Sequence, residues 1–432
     1  MSNAGTLLLI GGNDETVVKA KRLGLRVLLV QHPSTLTAAQ YEHADVVRVL
    51  DYTDWAQLEP AARELAASQG FSVAMSLTEP GLDGAGRVND LFGLGGTGQV
   101  VTERFRDKYA MRRYLAGVDP DAVPAAPLET ARDLADFAAA HGYPFIVKPV
   151  DATASIGVHR VDGPEDADRV WATVRRLRGT RTDRISTLFV LRDFMMEGYV
   201  SGPEFSVETA SFGGRHVVIA ITEKFTDDTH FAELGHALPA RLDTDTEERI
   251  RAGVSRFLTL MGLRDGVAHT EVRLSAFGPQ VIESHNRLGG DAISELIYGA
   301  FGIDMVTLAV GWPFGLVPEL PDRPVPHAGA STRFIVGDPG TVTSVAGTEE
   351  ATRADDVLDV RLTAKPGDEV RTLRDNWDRL GLVAVTGADT TAAVARGARL
   401  IGDHIRIAVD TGDGETSFAR VAELPQRTAA LS

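Results

Sequence analysis

Short apolar runs and helix-spaced apolar positions follow one another through the first hundred residues. Runs of strand length alternate with segments in which apolar residues recur every three or four positions, and glycines end several of them. The predicted strands are residues 6–10, 26–30, 46–50 and 72–77, and the predicted helices are residues 14–23 and 55–68. Because this alternation is typical of a parallel sheet covered by helices, residues 1–100 are predicted to form a parallel α/β domain.

The central part of the chain, residues 101–315, is predicted to combine helices with longer apolar strands. The predicted helices are residues 102–115, 131–141 and 166–177 and a helix that begins at a capping box of Thr244 and Glu247. The predicted strands are residues 145–150, 158–161 and 188–196 and two hairpins, 205–211 with 216–222 and 267–274 with 280–284. The second hairpin is expected to turn at Gly278-Pro279.

The remaining residues, 316–432, are rich in short strand-like pieces punctuated by Gly and Pro, with one helical pattern at residues 390–405. They predict a small C-terminal α+β domain. The apolar stretch 296–317 contains Asp304, several glycines and Pro313, so a buried core helix is favoured over a membrane span. No secretory signal is recognisable at the N-terminus, and a cytoplasmic location is expected.

Composition narrows the classes of function. The 432 residues carry a formal charge of −16, which repels nucleic acid and anionic membranes. There is no cysteine, which excludes disulfides, thiolate metal sites and cysteine nucleophiles. Lysine is scarce, and the six lysines are Lys19, Lys21, Lys108, Lys148, Lys224 and Lys365.

Glu271 and Glu283 lie inside the two strands of the second predicted hairpin. A turn of three or five residues would place them opposite each other on one face of the sheet. Directly opposed carboxylates are destabilising unless something compensates their charge. Because Mg²⁺ takes hard oxygen ligands and bridges carboxylates to phosphates, the pair predicts a magnesium site rather than two solvated side chains.

The segment that follows carries Arg287, Gly289 and Gly290. An Arg close to a metal site suits a phosphoryl or carboxylate oxygen, and two glycines let backbone N–H groups approach an anion. The plainer interpretation is a turn with an exposed Arg, which would be favoured if Glu283 did not precede it.

A second group combines Lys108 and Lys148 with a loop of small residues, 151–157. Two lysines on separate elements can neutralise different phosphates of one nucleotide, and the loop can lay backbone N–H groups over phosphate oxygens. The apolar strand 188–196 then leads to Glu197 and Val200, whose backbone groups are candidates for an adenine edge. Glu204 is a candidate for both ribose hydroxyls.

Two glycine patterns point to a dinucleotide instead. A literal G-x-G-x-x-G occupies Gly93, Gly95 and Gly98, but the residues before it look like the end of a helix, whereas the dinucleotide fingerprint follows a strand. We interpret it as a glycine-rich loop. Gly11-Gly12 follows a predicted strand but has only two glycines, so a nicotinamide-dependent oxidoreductase is retained as a weaker hypothesis.

The order Lys108, Lys148, Glu197-x-Tyr-Val, Glu204, Glu271, Glu283 and Arg287 resembles the ATP-grasp superfamily of carboxylate–amine ligases. The resemblance covers nearly the whole chain. The segments around Glu223-Lys224, Glu233–His236 and Glu283–Asp291 look most like the L-amino-acid ligases that form dipeptides. The resemblance implies a preceding α/β domain over 1–100, a two-part ATP-grasp fold over 101–315 with a mobile lid over about 120–190, and a C-terminal domain over 316–432.

The resemblance also implies roles for single residues. Residues implied to bind ATP are Lys108, Lys148, Ser155, Gly157, Glu197, Val200 and Glu204. Glu271 and Glu283 would hold Mg²⁺, and Arg287 would stabilise the acyl phosphate. Residues implied on the substrate side are Glu79, His236, His285, Gly289 and Gly290. The implied partners are a small-molecule carboxylate and an amine, and a homodimer is a further expectation.

One position departs from the pattern of the superfamily. Many members have Asn two residues after the second metal-binding Glu, where this chain has His285. Imidazole suits Mn²⁺ or Zn²⁺ better than Mg²⁺, so His285 is expected either to contact substrate or phosphate through a donor N–H or to tolerate Mn²⁺.

Two further functions are compatible with the same residues. Within the superfamily, a formyl- or carboxyl-activating enzyme of nucleotide biosynthesis would use the same nucleotide and metal groups. A non-catalytic ATP-binding protein would need only the nucleotide groups, and the presence of both Glu271 and Glu283 argues against it.

Overall fold

The computed structural model describes residues 4–180, 190–227, 229–412 and 414–425. Its first sheet is four-stranded and parallel, in the order β3-β2-β1-β4. The strands are β1 (Thr6–Ile10), β2 (Arg26–Gln31), β3 (Val46–Val49) and β4 (Val73–Met75), and the connecting helices are α1 (Asp14–Arg22), α2 (Ala38–His43), α3 (Trp55–Ser68) and α4 (Leu82–Phe92). The predicted parallel α/β architecture is confirmed.

Two helices, α5 (Gln99–Arg106) and α6 (Lys108–Val118), occupy the stretch for which one helix over 102–115 was predicted. The backbone of Asp107 is extended, and its carboxylate accepts a hydrogen bond from the N–H of Ala110 at 2.9 Å. An aspartate in this geometry caps a new helix. Lys108 is therefore the first residue of α6, where its side chain can point away from the helix bundle.

A second four-stranded sheet, in the order β5-β8-β6-β7, follows. It consists of β5 (Ala125–Leu128), β6 (Phe145–Pro149), β7 (His159–Val161) and β8 (Phe194–Gly198), with α7 (Ala131–His141) and α8 (Ala167–Leu177). Side chains such as Phe145, Val147 and Phe194 form its buried core. The strand predicted over 188–196 begins later, at Phe194, and its residues 188 and 189 lie outside the described residues, as does part of the expected lid.

The largest sheet has nine strands. Five come from the central part of the chain: β9 (Glu204–Phe212), β10 (Arg215–Thr226), β11 (Glu233–Leu238), β12 (Gly266–Ser275) and β13 (Gly278–His285). Helix α9 (Thr244–Met261) packs apolar side chains against β13 and its neighbours. Its cap is Asp243, whose carboxylate accepts from the N–H of Thr246 at 2.9 Å, so the capping box predicted at Thr244 is wrong by one residue.

The apolar stretch 296–317 forms two helices rather than one. Helix α10 (Ile293–Phe301) and helix α11 (Met305–Gly311) are bent by 98°, and the Asp304 side chain caps α11. Both helices are buried against the first sheet and the nine-stranded sheet. No single described helix is long and apolar enough to cross a membrane, although this bent pair passes by length and composition together.

The C-terminal residues complete the nine-stranded sheet. They add β14 (Gly329–Val336), β16 (Val357–Leu362), β18 (Gly381–Gly387) and β21 (Arg420–Val421) to it. A separate four-stranded sheet, in the order β17-β15-β19-β20, consists of β15 (Gly340–Ala346), β17 (Glu369–Val370), β19 (Arg406–Asp410) and β20 (Thr416–Phe418). The helices of this region are α12 (Thr348–Thr352) and α13 (Thr390–His404). Strand β14 pairs antiparallel with β11, so one sheet crosses the predicted boundary at residue 316. The domain boundaries themselves stay predictions.

Candidate active site

The hairpin β12–β13 places Glu271 opposite Glu283, but not by the predicted route. Ser275 pairs with Gly278, so the turn has two residues, and Gly278-Pro279 belongs to β13. With that turn alone, Glu271 would face Ile282. A β-bulge at Ile282 shifts the register by one residue and restores the glutamate pair.

Two lysines neutralise this pair of carboxylates. The Nζ of Lys224 lies 2.6 Å from Oε1 of Glu271, and the Nζ of Lys108 lies 3.1 Å from Oε2 of Glu283. Burial would raise the pKa of Glu271, but Lys224 and His269 together outweigh it and lower that pKa to about 2. Lys108, His285 and Lys148 together likewise outweigh burial and hold the pKa of Glu283 well below its usual range. Both carboxylates are therefore ionised and ready to accept cations.

A histidine is hydrogen-bonded to each of these glutamates. Nε2 of His269 lies 3.3 Å from Glu271, and its Nδ1 lies 2.6 Å from Oε1 of the buried Glu208. Nε2 of His285 lies 3.2 Å from Glu283, and its Nδ1 lies 3.1 Å from Glu79. Both ring nitrogens of His285 are thus directed at carboxylates, which favours an orienting role over direct coordination of Mn²⁺.

A cavity of about 820 Å³ lies between the β5–β8 sheet and the nine-stranded sheet. The structure brings most of the predicted nucleotide residues to its wall: Lys108, Lys148, Ser155, Glu197, Val200, Glu204, Glu271 and Glu283. Gly157 is not among them. A Cβ added at Gly157 would lie close to Pro149 and Leu177. With its φ of +69°, this glycine turns the chain at the end of the loop.

Lys148 and Glu197 form a buried group with Arg112, which no sequence pattern singled out. The Nζ of Lys148 lies 2.6 Å from Oε1 of Glu197, and Nε of Arg112 lies 2.8 Å from Oε2. Burial lowers the pKa of Lys148, and Glu197 opposes that effect without cancelling it. Arg112 also donates to the carbonyl of Ile282 at 3.1 Å, so it ties the bulge that positions Glu283 to the β5–β8 sheet.

The small-residue loop, residues 151–157, forms the roof of this cavity. Ala154 and Ser155 have φ values of +62° and +61°, which residues other than glycine seldom adopt. The Nζ of Lys108 donates to the carbonyl of Ala152 at 2.6 Å, and the hydroxyl of Ser155 donates to the carbonyl of Phe231 at 2.9 Å. Its backbone is thus held in an unusual conformation over the lysines.

Glu204 faces the cavity between two cations that the sequence reasoning missed. Its Oε1 lies 2.9 Å from Lys224, and its Oε2 lies 3.0 Å from Nε of Arg273. Lys224 also contacts Glu233 at 2.9 Å, and these carboxylates outweigh burial and raise its pKa well above the usual value. The scarcity of lysine was a signal for Lys224, which lies near the end of the apolar strand β10.

A second cavity, of about 1660 Å³, adjoins the first. Its wall includes the predicted Glu79, His285, Arg287, Gly289 and Gly290. It also includes Glu271 and Glu283, so the two cavities meet at the glutamate pair. Glu79 follows β4 in a short turn, where Arg287 binds its Oε2 at 2.5 Å and Arg106 binds its Oε1 at 2.6 Å. His285 and these arginines outweigh burial and hold the pKa of Glu79 well below its usual range.

Glycine occupies positions 289 and 290, after Arg287, for two different structural reasons. A Cβ on Gly289 would lie 2.8 Å from Nδ1 of His269 and 3.3 Å from Oε2 of Glu208, so only glycine lets the chain pass over this pair. A Cβ on Gly290 would meet nothing within 4 Å. The absence of a side chain there leaves the second cavity open.

His236 lines neither cavity, contrary to its predicted place on the substrate side. It is buried on β11, with Nε2 at 3.5 Å from Glu233 and 3.7 Å from Asp291. Ligand atoms of these three residues lie within 4.8 Å of one another, as a metal site would need. However, Lys224 binds Glu233 and Arg379 binds Asp291, so side-chain cations already balance the charge of this group.

The two glycine patterns offer no dinucleotide site. Gly93 to Gly98 follow helix α4, as the sequence context indicated. At the other turn, a Cβ on Gly11 would lie 2.8 Å from the hydroxyl of Tyr52, and the carbonyl of Gly12 accepts hydrogen bonds from Gln31 and Gln40. Side chains therefore pack directly on both glycines of this turn.

Comparison with known proteins agrees with this geometry. Residues 141–295 match the family model of the ATP-grasp domain. This part of the chain is therefore an ATP-grasp domain. Residues 333–410 match a second model, the L-amino acid ligase C-terminal domain 2. This match favours an amino-acid ligase over an enzyme of nucleotide biosynthesis.

Relatives of this ATP-grasp protein include a named ligase and a named synthase. The alanine–anticapsin ligase of Bacillus subtilis (strain 168) is 28% identical over 245 residues, 53% of this chain and 51% of that protein. Human carnosine synthase 1 is 29% identical over 205 residues, 47% of this chain and 25% of that protein. The alignments thus span a quarter to a half of these relatives.

A solved structure extends the likeness of fold to nearly the whole chain. The crystal structure of an L-amino acid ligase from Bacillus licheniformis superposes with a TM-score of 0.79 at 22% identity, covering 95% of this chain and 100% of that one. This structure supports the fold, whereas the two family models and the alanine–anticapsin ligase support an ATP-dependent, ADP-forming carboxylate–amine ligase.

Proposed function

We propose that this ligase joins the carboxylate of an amino acid to an amine through an acyl phosphate and releases an amide or dipeptide, ADP and phosphate. The observation that carries the proposal is the meeting of two cavities at Glu271 and Glu283. One cavity presents lysines and a small-residue loop, and the other presents Arg287 and an open glycine pair. A nucleotide and a carboxylate would meet where the cavities join.

In the first cavity, Lys108 and Lys148 would bind ATP phosphates under the small-residue loop. The backbone of Glu197 and Val200 would face adenine, and the carboxylate of Glu204 would accept from the ribose. Lys108 contacts Glu283 in the structure, and a bound phosphate would compete for its Nζ. Lys108 would therefore exchange its contact with the Glu283 carboxylate for a contact with a phosphate of ATP.

Glu271 and Glu283 fit Mg²⁺, because they offer ionised oxygen ligands at the wall shared by both cavities. When bound, Mg²⁺ supplies charge neutralisation to the phosphates. The two histidines keep both carboxylates oriented through hydrogen bonds at 3.3 and 3.2 Å. Carboxylate oxygens suit Mg²⁺ and Mn²⁺, whereas Zn²⁺ is typically bound by imidazole and thiolate.

In the second cavity, Arg287 would hold oxygens of the substrate carboxylate and of the acyl phosphate. A carboxylate oxygen bonds to the γ-phosphorus of ATP, and ADP leaves. The amine nitrogen then bonds to the acyl carbon, the bond from that carbon to the phosphate oxygen breaks, and the nitrogen loses a proton. Negative charge develops on oxygen in both steps, which a guanidinium stabilises.

About residues 120–190, which include strands β5, β6 and β7 and helices α7 and α8, would act as a lid. Closure would exclude water from the acyl phosphate, which otherwise hydrolyses. The relatives support amino acids as the substrate class, because one is named for an alanine ligase and another for carnosine synthesis. A cytoplasmic location and a homodimer stay predictions.

The deciding experiment is ADP release from the purified chain with Mg-ATP, screened over pairs of the proteinogenic amino acids. The mass of each product is measured in the same reactions. We expect ADP, phosphate and an amide in equal amounts for at least one pair. Absence of ADP release with every pair, in protein that binds Mg-ATP, would contradict the proposed substrates.

A further inference from the structure

A short turn of the C-terminal region, Asn376–Asp378, reaches the active site from outside the ATP-grasp part of the chain. Asn376 is buried and lines both cavities, and Trp377 lines the second. Trp377 also packs against the apolar core of the β5–β8 sheet. This turn therefore contacts both of the units that enclose the nucleotide cavity.

Asn376 joins the small-residue loop to strand β11. Its backbone N–H donates to the carbonyl of Ala154 at 3.2 Å. Its side-chain oxygen accepts from the N–H of Glu233 at 2.8 Å, and its side-chain nitrogen donates to the carboxylate of Glu233 at 3.0 Å. One residue thus spans the cavity between its roof and its opposite wall.

The turn is itself fixed to the second cavity through Arg379. Nε of Arg379 donates to the carbonyl of Asn376 at 2.8 Å, and its Nη2 binds Asp291 at 2.9 Å. The guanidinium stacks over the ring of Phe334, at 3.8 Å from the ring centre to the guanidinium carbon. The position of Asn376 is consequently set by a residue of the substrate wall.

The small-residue loop needs external support. Ala154 and Ser155 hold left-handed backbone conformations, which cost free energy and persist only where neighbours enforce them. Contacts from outside the loop come from Lys108 to Ala152, from Ser155 to Phe231 and from Asn376 to Ala154. The contact from Asn376 connects the strained residue Ala154 directly to the C-terminal region.

We propose that Asn376 is a positioning residue of the nucleotide site, which holds the small-residue loop in its phosphate-binding conformation by tying it to Glu233. The inference rests on the proposed function, since that function assigns the loop to the phosphates of ATP. It adds a role for the C-terminal region in nucleotide binding, which neither the motifs nor the matched ATP-grasp segment contains.

The test is position-resolved hydrogen exchange of the full chain, alone and with Mg-ADP, together with the KM for ATP. The variants are Asn376→Ala, which removes both side-chain bonds, and Asn376→Asp, which keeps the size and the acceptor but puts a carboxylate beside that of Glu233. The control is Arg371→Ala, an exposed residue of the same region that pairs with Glu369.

In both variants we expect amides of residues 151–158 to exchange about tenfold faster, the scale of losing one or two hydrogen bonds. Mg-ADP should protect them less than in the parent, and the KM for ATP should rise while the melting temperature matches that of the control.

Exchange at 151–158 equal to the parent would overturn the proposal. So would an acceleration spread evenly over the chain, because that is simple destabilisation. If Mg-ADP protects nothing within residues 141–295 of the parent, the proposed function fails instead.

Discussion

Two histidines, the half-buried His159 and the buried His269, have pKa values that are shifted in opposite directions in the two sheets that enclose the nucleotide cavity. On β7 of the β5–β8 sheet, burial, with Arg169 and Arg176 adding to it, lowers the pKa of His159 to about 4. On β12 of the nine-stranded sheet, burial also disfavours the charge of His269, but Glu208 outweighs it and raises the pKa to about 10. The partner, and not the burial, decides the sign.

The two sheets also differ in the charged side chains that they present to the cavity. The β5–β8 sheet has an apolar core and presents one ion pair, Lys148 on β6 with Glu197 on β8. The nine-stranded sheet presents four carboxylates, Glu204, Glu233, Glu271 and Glu283, with the cations Lys224 and Arg273 among them. Phosphates and a metal ion have opposite charges, so a nucleotide bound with its metal can be complementary to both walls. Substituting the charged residues of this site one at a time tests what each contributes.

The largest effect is expected on the carboxylate side. Glu271→Gln and Glu283→Gln should each lower kcat by about 10³-fold or more, since each variant loses a charged metal ligand. The fold should survive, because Lys224 keeps Glu204 and Glu233 as partners. Steady-state ADP release measures the effect, with the exposed Glu319→Gln as the matched control. Retention of most activity by both variants would show that the metal assignment is wrong.

The next largest effect is expected at Arg287, which lines the second cavity. Arg287→Lys should lower kcat by roughly 10²-fold with little change in ATP affinity, because Lys keeps the charge and loses the two-pronged geometry. Arg287 uses that geometry in the structure to bind Glu79 and the carbonyl of Leu288. Steady-state kinetics decides, and a kcat within about threefold of the parent would return Arg287 to a structural role.

On the cation side, Lys148→Ala should weaken ATP binding by roughly 10- to 100-fold, the scale of a hydrogen bond to a charged group. Glu197 retains Arg112 as a partner, which limits damage to the fold. Calorimetric titration with ATP measures the change, and Lys365→Ala, an exposed lysine of the C-terminal region, is the control. Equal ATP affinities of the two variants would show that Lys148 does not bind the phosphates.

The smallest effect is on stability and tests the histidine comparison directly. The unfolded chain takes up a proton at His159 near pH 6.5, and the folded chain does so near pH 4. Stability should therefore fall as the pH drops through this window, by up to about 1.4 kcal/mol per pH unit from this residue. Urea unfolding at pH 7, 6 and 5 should show a shallower loss for His159→Gln. An identical pH dependence in parent and variant would contradict the assignment.

Helices and strands could be predicted from the sequence where apolar residues recur at a regular spacing. The bounds of α3 and α7 agree with the predicted helices 55–68 and 131–141. Strand β11 was missed because Glu233, Gly235 and His236 interrupt its apolar pattern. The break at Asp107 was missed because apolar spacing continues across it, although its capping side chain was a local signal.

The site could be predicted where its chemistry is local to a motif. Glu271, Glu283 and Arg287 stand out because charged residues flank or interrupt apolar strands. Arg112 and Asn376 do not, because their importance comes from partners 85 and 143 residues away in the chain. The bulge at Ile282 has no sequence signal that we recognise, yet the pairing of the glutamates depends on it.

The pairing of β11 with β14 has a consequence for engineering. Protein designers often exchange a C-terminal region between relatives to transfer substrate preference. In this chain such a cut would separate two hydrogen-bonded strands and expose an unpaired edge on each fragment, which favours aggregation. A successful chimera must therefore import a β14 whose register matches Gly235 to Leu238 of the recipient, together with the turn at Asn376. Chimeras built on loop boundaries alone should yield insoluble protein.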